Sequence, residues 1–139
     1  MPEQTFCMIK PDAAARGLTQ EIKNRIEKSG LKISKSKELM MSRSQAEKIY
    51  AVHKGKDFYD GLVDFITSGP LTVMMLEGDN AILRLRQLMG ETDPRKAAPG
   101  TIRGDLREDN IFTEKGTMKN LIHGSDSPES AKNEISIFF

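Results

Sequence analysis

At 139 residues the chain suits a single domain, 1–139, long enough to bury roughly two-thirds of its unfolded surface without disulfide or metal staples. Charged residues make up 29% and hydrophobic residues 37%, and 21 basic against 20 acidic side chains leave a net charge of +1. That balance excludes a global nucleic-acid or membrane surface, and no stretch approaches the roughly 18 apolar residues of a membrane span or carries the pattern of a signal peptide, so the expected compartment is the cytoplasm.

The apolar run Thr5–Ile9 predicts a first strand, ended by Lys10-Pro11-Asp12, because proline forces the backbone out of a ladder. The single cysteine, Cys7, lies in this run and reads as a small core residue. Leu18, Ile22 and Ile26 recur at helical spacing over Leu18–Ser29, and Gly30 supplies a left-handed stop. Leu31–Met41 alternates apolar and polar, as a strand with one wet face does. Ser42 and Gln45 form a capping box for a helix to about Val52. A further helix carries Phe58, Gly61, Leu62, Phe65 and Ile66 and is stopped by Gly69-Pro70.

Leu71–Leu76 reads as a buried central strand. Asp79 is placed to cap a helix bearing Ile82, Leu85 and Met89, closed by Gly90. Glu91–Lys119 holds Pro94, Pro99, Gly100, Gly104 and Gly116 and reads as a long functional loop. Ser127-Pro128-Glu129 starts a short helix, and Ile135–Phe139 reads as a final strand. Reduced to its core the order is βαββαβ. This predicts a ferredoxin-like α+β fold, a four-stranded antiparallel sheet with helices packed on one face.

That fold hosts many functions, so function must come from a site. The segment Asn120-Leu121-Ile122-His123-Gly124-Ser125-Asp126-Ser127 sets one of two histidines among small residues. A neutral imidazole there keeps a lone pair that can attack phosphorus and form a phosphohistidine. Gly124 leaves space beside the ring, and Ser125 can donate a hydrogen bond. Such a histidine needs a carboxylate on its other nitrogen; Glu129 and Glu134 are both candidates.

Phosphoryl transfer also needs cations around the γ-phosphate. Arg86, Arg95, Arg103, Arg107 and Lys10 are available, and Arg103 stands out within Pro99–Asp105, where glycines let backbone N–H groups approach a phosphate. No GxxxxGK[ST] loop is present. Phe58, Tyr50 and Leu62 can offer an apolar surface to a nucleobase, although Phe58 and Leu62 also fit a core stripe. His53 reads as a surface side chain.

These motifs resemble the nucleoside diphosphate kinase family. N-x-x-H-G-S-D-S is that family's signature. Thr5-Phe6-x-x-Ile9-Lys10-Pro11-Asp12, Phe58–Val63, Ser68-Gly69-Pro70, Leu88–Thr92 and Pro99–Asp105 are similar to family blocks in family order. The resemblance implies a ping-pong kinase that passes a γ-phosphate from a nucleoside triphosphate to a diphosphate. It implies that His123 is phosphorylated on Nδ1, that Glu134 orients the ring, and that Tyr50 stands beside it. It implies that Lys10 and Asn120 contact the ribose hydroxyl and phosphates, that Arg86, Thr92 and Arg103 bind phosphates, and that Phe58 and Leu62 face the base. It further implies Mg²⁺ carried on the nucleotide and a homo-oligomer, tetramer or hexamer, built on a dimer.

Two features depart from common members. Leu106–Lys119 is longer, and Thr117 is the nearest candidate for the missing wall of the base pocket. The chain ends at Phe139 without the extension many members use in subunit contacts, which leaves the assembly open. An alternative reading is a non-catalytic nucleotide- or nucleic-acid-binding module on the same fold, and another is a phosphorelay carrier. The phosphate-binding set around His123 argues against both.

Overall fold

A computed structural model describes residues 2–139. Strand β1 (Glu3–Ile9) is the spine, with Phe6 to Ile9 wholly buried. Pro11 ends it and opens a short helix, α1 (Pro11–Ala15), with Lys10 at the N-cap. Helix α2 (Thr19–Lys28) buries Ile22 and Ile26, and β2 (Lys32–Met40) follows. The capping box of Ser42 and Gln45 forms as expected at the start of α3 (Arg43–Ile49), with a 3-10 turn at Ala51–His53. Helix α4 (Tyr59–Ile66) buries Tyr59, Val63 and Ile66, so the core stripe lies one position round from Phe58 and Leu62. After β3 (Pro70–Gly78) comes α5 (Ala81–Met89). Its N-cap is Asn80, in a left-handed conformation, and the expected Asp79 cap is absent; Glu3 of β1 instead accepts from the Ile82 N–H at 2.9 Å. The long connection contains a helix, α6 (Ile102–Leu106), capped by the Thr101 side chain. Strand β4 (Ile122–Gly124) and helix α7 (Pro128–Phe138) complete the chain.

The sheet is antiparallel with order β2-β3-β1-β4, which is the ferredoxin-like arrangement. Two expectations change. The fourth strand is Ile122–Gly124, not Ile135–Phe139. The isoleucines of the terminal segment mimic a strand, but Ala131, Glu134 and Phe138 are buried at helical spacing and α7 packs on β1. Helices also cover both faces of the sheet, not one. Cys7 and Ile9 pack with α2 and α5, while Phe6 and Met8 pack with α3, α4 and α7. Burial on both sides makes β1 read as a continuous apolar run instead of an alternating one.

Candidate active site

His123 is the middle residue of β4, paired with Met8 of β1, and β4 is an edge strand. Alternation turns its ring toward the α7 face, 6.0 Å from the Phe6 ring. Ile122 on one side of it belongs to the opposite core. Gly124 likewise faces α5: a Cβ there would lie 2.8 Å from Met89 Sδ and 2.9 Å from Leu85 Cδ2. A side chain at this position would press on the ends of Met89 and Leu85 of α5, on the sheet face opposite the imidazole.

The ring is held from α7. Nε2 donates to Glu134 Oε1 at 2.7 Å, and the buried Ser125 hydroxyl donates to the same oxygen at 2.8 Å. The choice between Glu129 and Glu134 thus falls to Glu134, which lies one turn further along α7. Fixing the proton on Nε2 leaves the lone pair on Nδ1. Among the described residues Nδ1 has no hydrogen-bond partner.

A cleft of about 590 Å³ opens beside this histidine. It brings together Lys10, Tyr50, Leu62, Arg86, Thr92, Arg103, Asn120, His123 and Glu134 from segments spread along the whole chain. Its cations are built in. Lys10 Nζ donates to Asn120 Oδ1 at 2.8 Å, and Asn120 Nδ2 donates to the Thr92 carbonyl at 3.1 Å. Burial, helped by the nearby Arg103 charge and opposed by Asp12, lowers the Lys10 ammonium to about 8. Arg103 reaches from α6 to three backbone carbonyls, those of Asn120 at 3.0 Å, Gly90 at 3.1 Å and Ile122 at 2.6 Å. A guanidinium has five N–H donors, so two remain for a ligand. Burial and the charge of Arg86 lower Arg103 to about 10. Arg86 is exposed, with its guanidinium 3.5 Å from the Gly124 carbonyl. Burial and the neighbouring Glu134 and Asp12 carboxylates raise the Tyr50 phenol, which stays protonated as a donor.

Other expected residues lie elsewhere. Phe58 caps α4 at 51% exposure and does not border the cleft, but its ring meets the edge of His53, which does. Thr117 is buried against Gly61 of α4 and is not part of the cleft wall. Arg95 is turned to solvent and paired with Asp93 at 2.8 Å. Arg107 is exposed and outside the cleft.

Sequence reasoning missed Asp12. Its Oδ2 accepts from the Leu121 N–H at 3.0 Å. No pattern in the sequence pairs Asp12 with a backbone group so far along the chain.

Leu121, between Asn120 and Ile122, adopts φ +75° although it is not glycine. The Ile122 N–H closes onto the Asn120 carbonyl at 2.8 Å. This is the rare, strained positive-φ form of a γ-turn. The Leu121 carbonyl accepts from the Lys10 N–H at 2.9 Å, and its side chain is wholly buried.

An imidazole with one nitrogen fixed and the other open, sharing a cleft with the buried cations Lys10 and Arg103, is suited to in-line transfer of a phosphoryl group. Comparison with known proteins leads the same way. The sequence model of the nucleoside diphosphate kinase family matches residues 3–139. A nucleoside diphosphate kinase of Listeria monocytogenes serotype 4b is 54% identical over 137 residues, covering 99% of this chain and 88% of that protein. One from Wolinella succinogenes is 53% identical, covering 99% and 95%.

Among solved structures, a halophilic nucleoside diphosphate kinase from Halobacterium salinarum in complex with CDP superposes with a TM-score of 0.89 at 45% identity, covering 100% of this chain and 88% of that one. A transition-state mimic of the Borrelia burgdorferi enzyme, with bound vanadate and ADP, gives 0.90 at 32% identity, covering 99% and 87%. Agreement over nearly the full length, in sequence and in fold, means that the chain belongs to the nucleoside diphosphate kinase family, phosphotransferases acting between nucleoside triphosphates and diphosphates.

Proposed function

We propose that this kinase works by a ping-pong cycle through His123. The observation that carries the reading is the Glu134 bond to Nε2, which leaves Nδ1 as the nucleophile. The Nδ1 lone pair attacks the γ-phosphorus of a nucleoside triphosphate. The bond from that phosphorus to the bridging oxygen breaks, and the nucleoside diphosphate leaves with the electron pair. A terminal β-phosphate oxygen of an acceptor diphosphate then attacks the phosphohistidine, and the N–P bond breaks. The positive charge that grows on the imidazole in the first step is stabilised by Glu134.

The remaining residues position and neutralise. Lys10, Arg86 and Arg103 hold the phosphates, with Thr92 and Asn120 completing their coordination and Tyr50 donating beside His123. Lys10 and Asn120 also suit the ribose hydroxyl. Leu62 and the exposed ring of Phe58 offer the base a surface to stack on without reading its edge, which supports broad base specificity. Among the described residues no group of three or more acidic, histidine or cysteine side chains is arranged to hold a metal. A Mg²⁺ carried on the nucleotide would neutralise phosphate charge. Asp126 and Glu129 line the cleft and would accept hydrogen bonds from its waters.

The reading includes a homo-oligomer, supported by the unpaired edge of β2 with Met40 at 57% exposure. It places the chain in the cytoplasm, where an unpaired cysteine such as the buried Cys7 is ordinary. An aromatic nucleic-acid platform on the sheet is disfavoured, because both faces are covered and Phe6 is wholly buried.

The test is incubation with γ-labelled nucleoside triphosphate and Mg²⁺. The expected product is an acid-labile, base-stable phosphoenzyme that any nucleoside diphosphate discharges. A His123→Ala variant that still transferred label at the wild-type rate would sink the mechanism.

A further inference from the structure

Asp12 is a costly residue for its position. It sits at the start of α1, 8% exposed, and its second oxygen, Oδ1, is buried with no hydrogen-bond partner. Burial raises its carboxyl above the usual range, against the pull of Lys10 and the Leu121 N–H. An apolar residue would pack there without the desolvation penalty. The one directed bond to another element that the carboxyl makes is to Leu121 N, across 109 residues of chain. It is not a cleft residue.

What it holds is the strained γ-turn. A non-glycine residue at positive φ costs on the order of 1–3 kcal/mol and persists only where its surroundings impose it. Here four hydrogen bonds impose it. Asp12 takes the Leu121 N–H, the Lys10 N–H takes the Leu121 carbonyl, and Arg103 takes the carbonyls on either side, those of Asn120 and Ile122. Relaxing Leu121 to a negative φ would rotate the peptide on each flank. Asn120, which is bonded to Lys10, lies on one side; Ile122 and the His123 ring lie on the other.

We infer that Asp12 is a positioning residue for phosphoryl transfer, whose carboxyl oxygen locks the Leu121 turn and so sets Asn120 and His123 in register with each other. The inference rests on His123 being the phosphorylated group. The reasoning is geometric: the position of the acceptor matters, and its charge matters less.

Three variants separate these possibilities, each assayed well below its melting temperature with kcat and KM resolved. Asp12→Ala removes the acceptor; kcat should fall about 10- to 100-fold with KM for nucleotide within about threefold, the size expected when reacting groups are displaced by about 1 Å. Asp12→Asn keeps an oxygen at the same place and loses the charge; it should retain at least about a third of wild-type kcat. Asp12→Glu keeps the charge and moves the oxygen by a methylene; it should lose about as much as Asp12→Ala.

A residue that only stabilises the fold would lower the melting temperature and leave kcat per folded molecule alone. The inference is overturned if folded Asp12→Ala keeps kcat within about threefold, if the loss falls on KM alone, or if Asp12→Glu outperforms Asp12→Asn. Should Asp12→Ala not fold, the order of the other two decides. His123→Ala run alongside distinguishes failure of this inference, in which that variant is still dead, from failure of the ping-pong reading, in which it is not.

Discussion

Truncating Glu134 should slow phosphorylation of His123 far more than it destabilises the protein. The Glu134 side chain is buried and accepts two bonds on one oxygen, from His123 Nε2 at 2.7 Å and Ser125 Oγ at 2.8 Å. A hydrogen bond to a charged group is worth about 1.5–3 kcal/mol, and its benefit grows as the imidazole gains charge in the transition state. At about 1.4 kcal/mol per decade that is roughly 10- to 150-fold in rate. Loss of ring orientation adds to it, because an unheld ring can flip or carry its proton on Nδ1. Glu134→Ala is therefore expected to cut the single-turnover rate of phosphoenzyme formation by about 100-fold. Glu134→Gln keeps a carbonyl oxygen that both donors can reach and loses only the charge, so about tenfold is expected.

The structural cost is smaller: Glu134→Ala leaves the Ser125 hydroxyl buried without a partner, about 1–3 kcal/mol and several degrees of melting temperature. Rapid-quench measurement of acid-labile phosphate, normalised to folded protein, gives the rate. Phosphorus NMR of the denatured phosphoenzyme gives the nitrogen. If Glu134→Ala phosphorylates within about threefold of wild type, or if the wild-type phosphate sits on Nε2, the reasoning fails.

Two further outcomes follow from the same structure. Burial holds Lys10 at about 8, below its ordinary 10.5, so the ammonium proposed to bind phosphate is lost as pH rises through about 8, and kcat/KM should decline there. The unfolded chain binds the extra proton between about 8 and 10.5, so stability should rise with pH across that window. Denaturant midpoints measured against pH should lose that rise in Lys10→Met, and an unchanged slope would count against the buried-ammonium account. Gly104→Ala would set a Cβ 2.3 Å from the Ala98 carbonyl oxygen and 3.0 Å from that of Ala97, both backbone. About 2 kcal/mol of destabilisation and a raised KM are expected as Arg103 shifts, read by melting and steady-state kinetics; an unmoved melting temperature would show that this turn yields freely.

Much of the fold was legible because β1 and β3 are continuous apolar runs and the buried faces of α2 and α5 recur at helical spacing. The failures share one cause: burial that comes from distant segments. The terminal isoleucines alternate like a strand, and only docking of α7 on β1 shows that Ala131, Glu134 and Phe138 form the inward face. Strand β4 is three residues long, too short for any pattern, and its glycine and flanking serine read as a turn. The site was legible as residue types. His123, Lys10, Arg86 and Arg103 line one cleft, whereas Arg95 and Arg107, equally basic in the sequence, do not. Which acid holds the ring depended on whether α7 continues as a helix past Ser130. Asp12 was invisible for a different reason: its partner is a main-chain N–H, and main-chain groups leave no mark on a sequence.

The bonds that tie Lys10 to Asn120 and Asp12 to Leu121 span 110 and 109 residues of a 139-residue chain. Contacts so far apart in sequence form late, because the entropic cost of closing the chain comes due before the contacts reward it. The cleft therefore has no local precursor. Pairing of β1, β2 and β3 leaves the cleft without Asn120, His123 and Glu134. The cleft is complete only once β4 has docked on the edge of β1 and α7 has brought Glu134 to His123. Phosphotransfer should therefore track the docking of β4 and α7, and not the pairing of β1, β2 and β3.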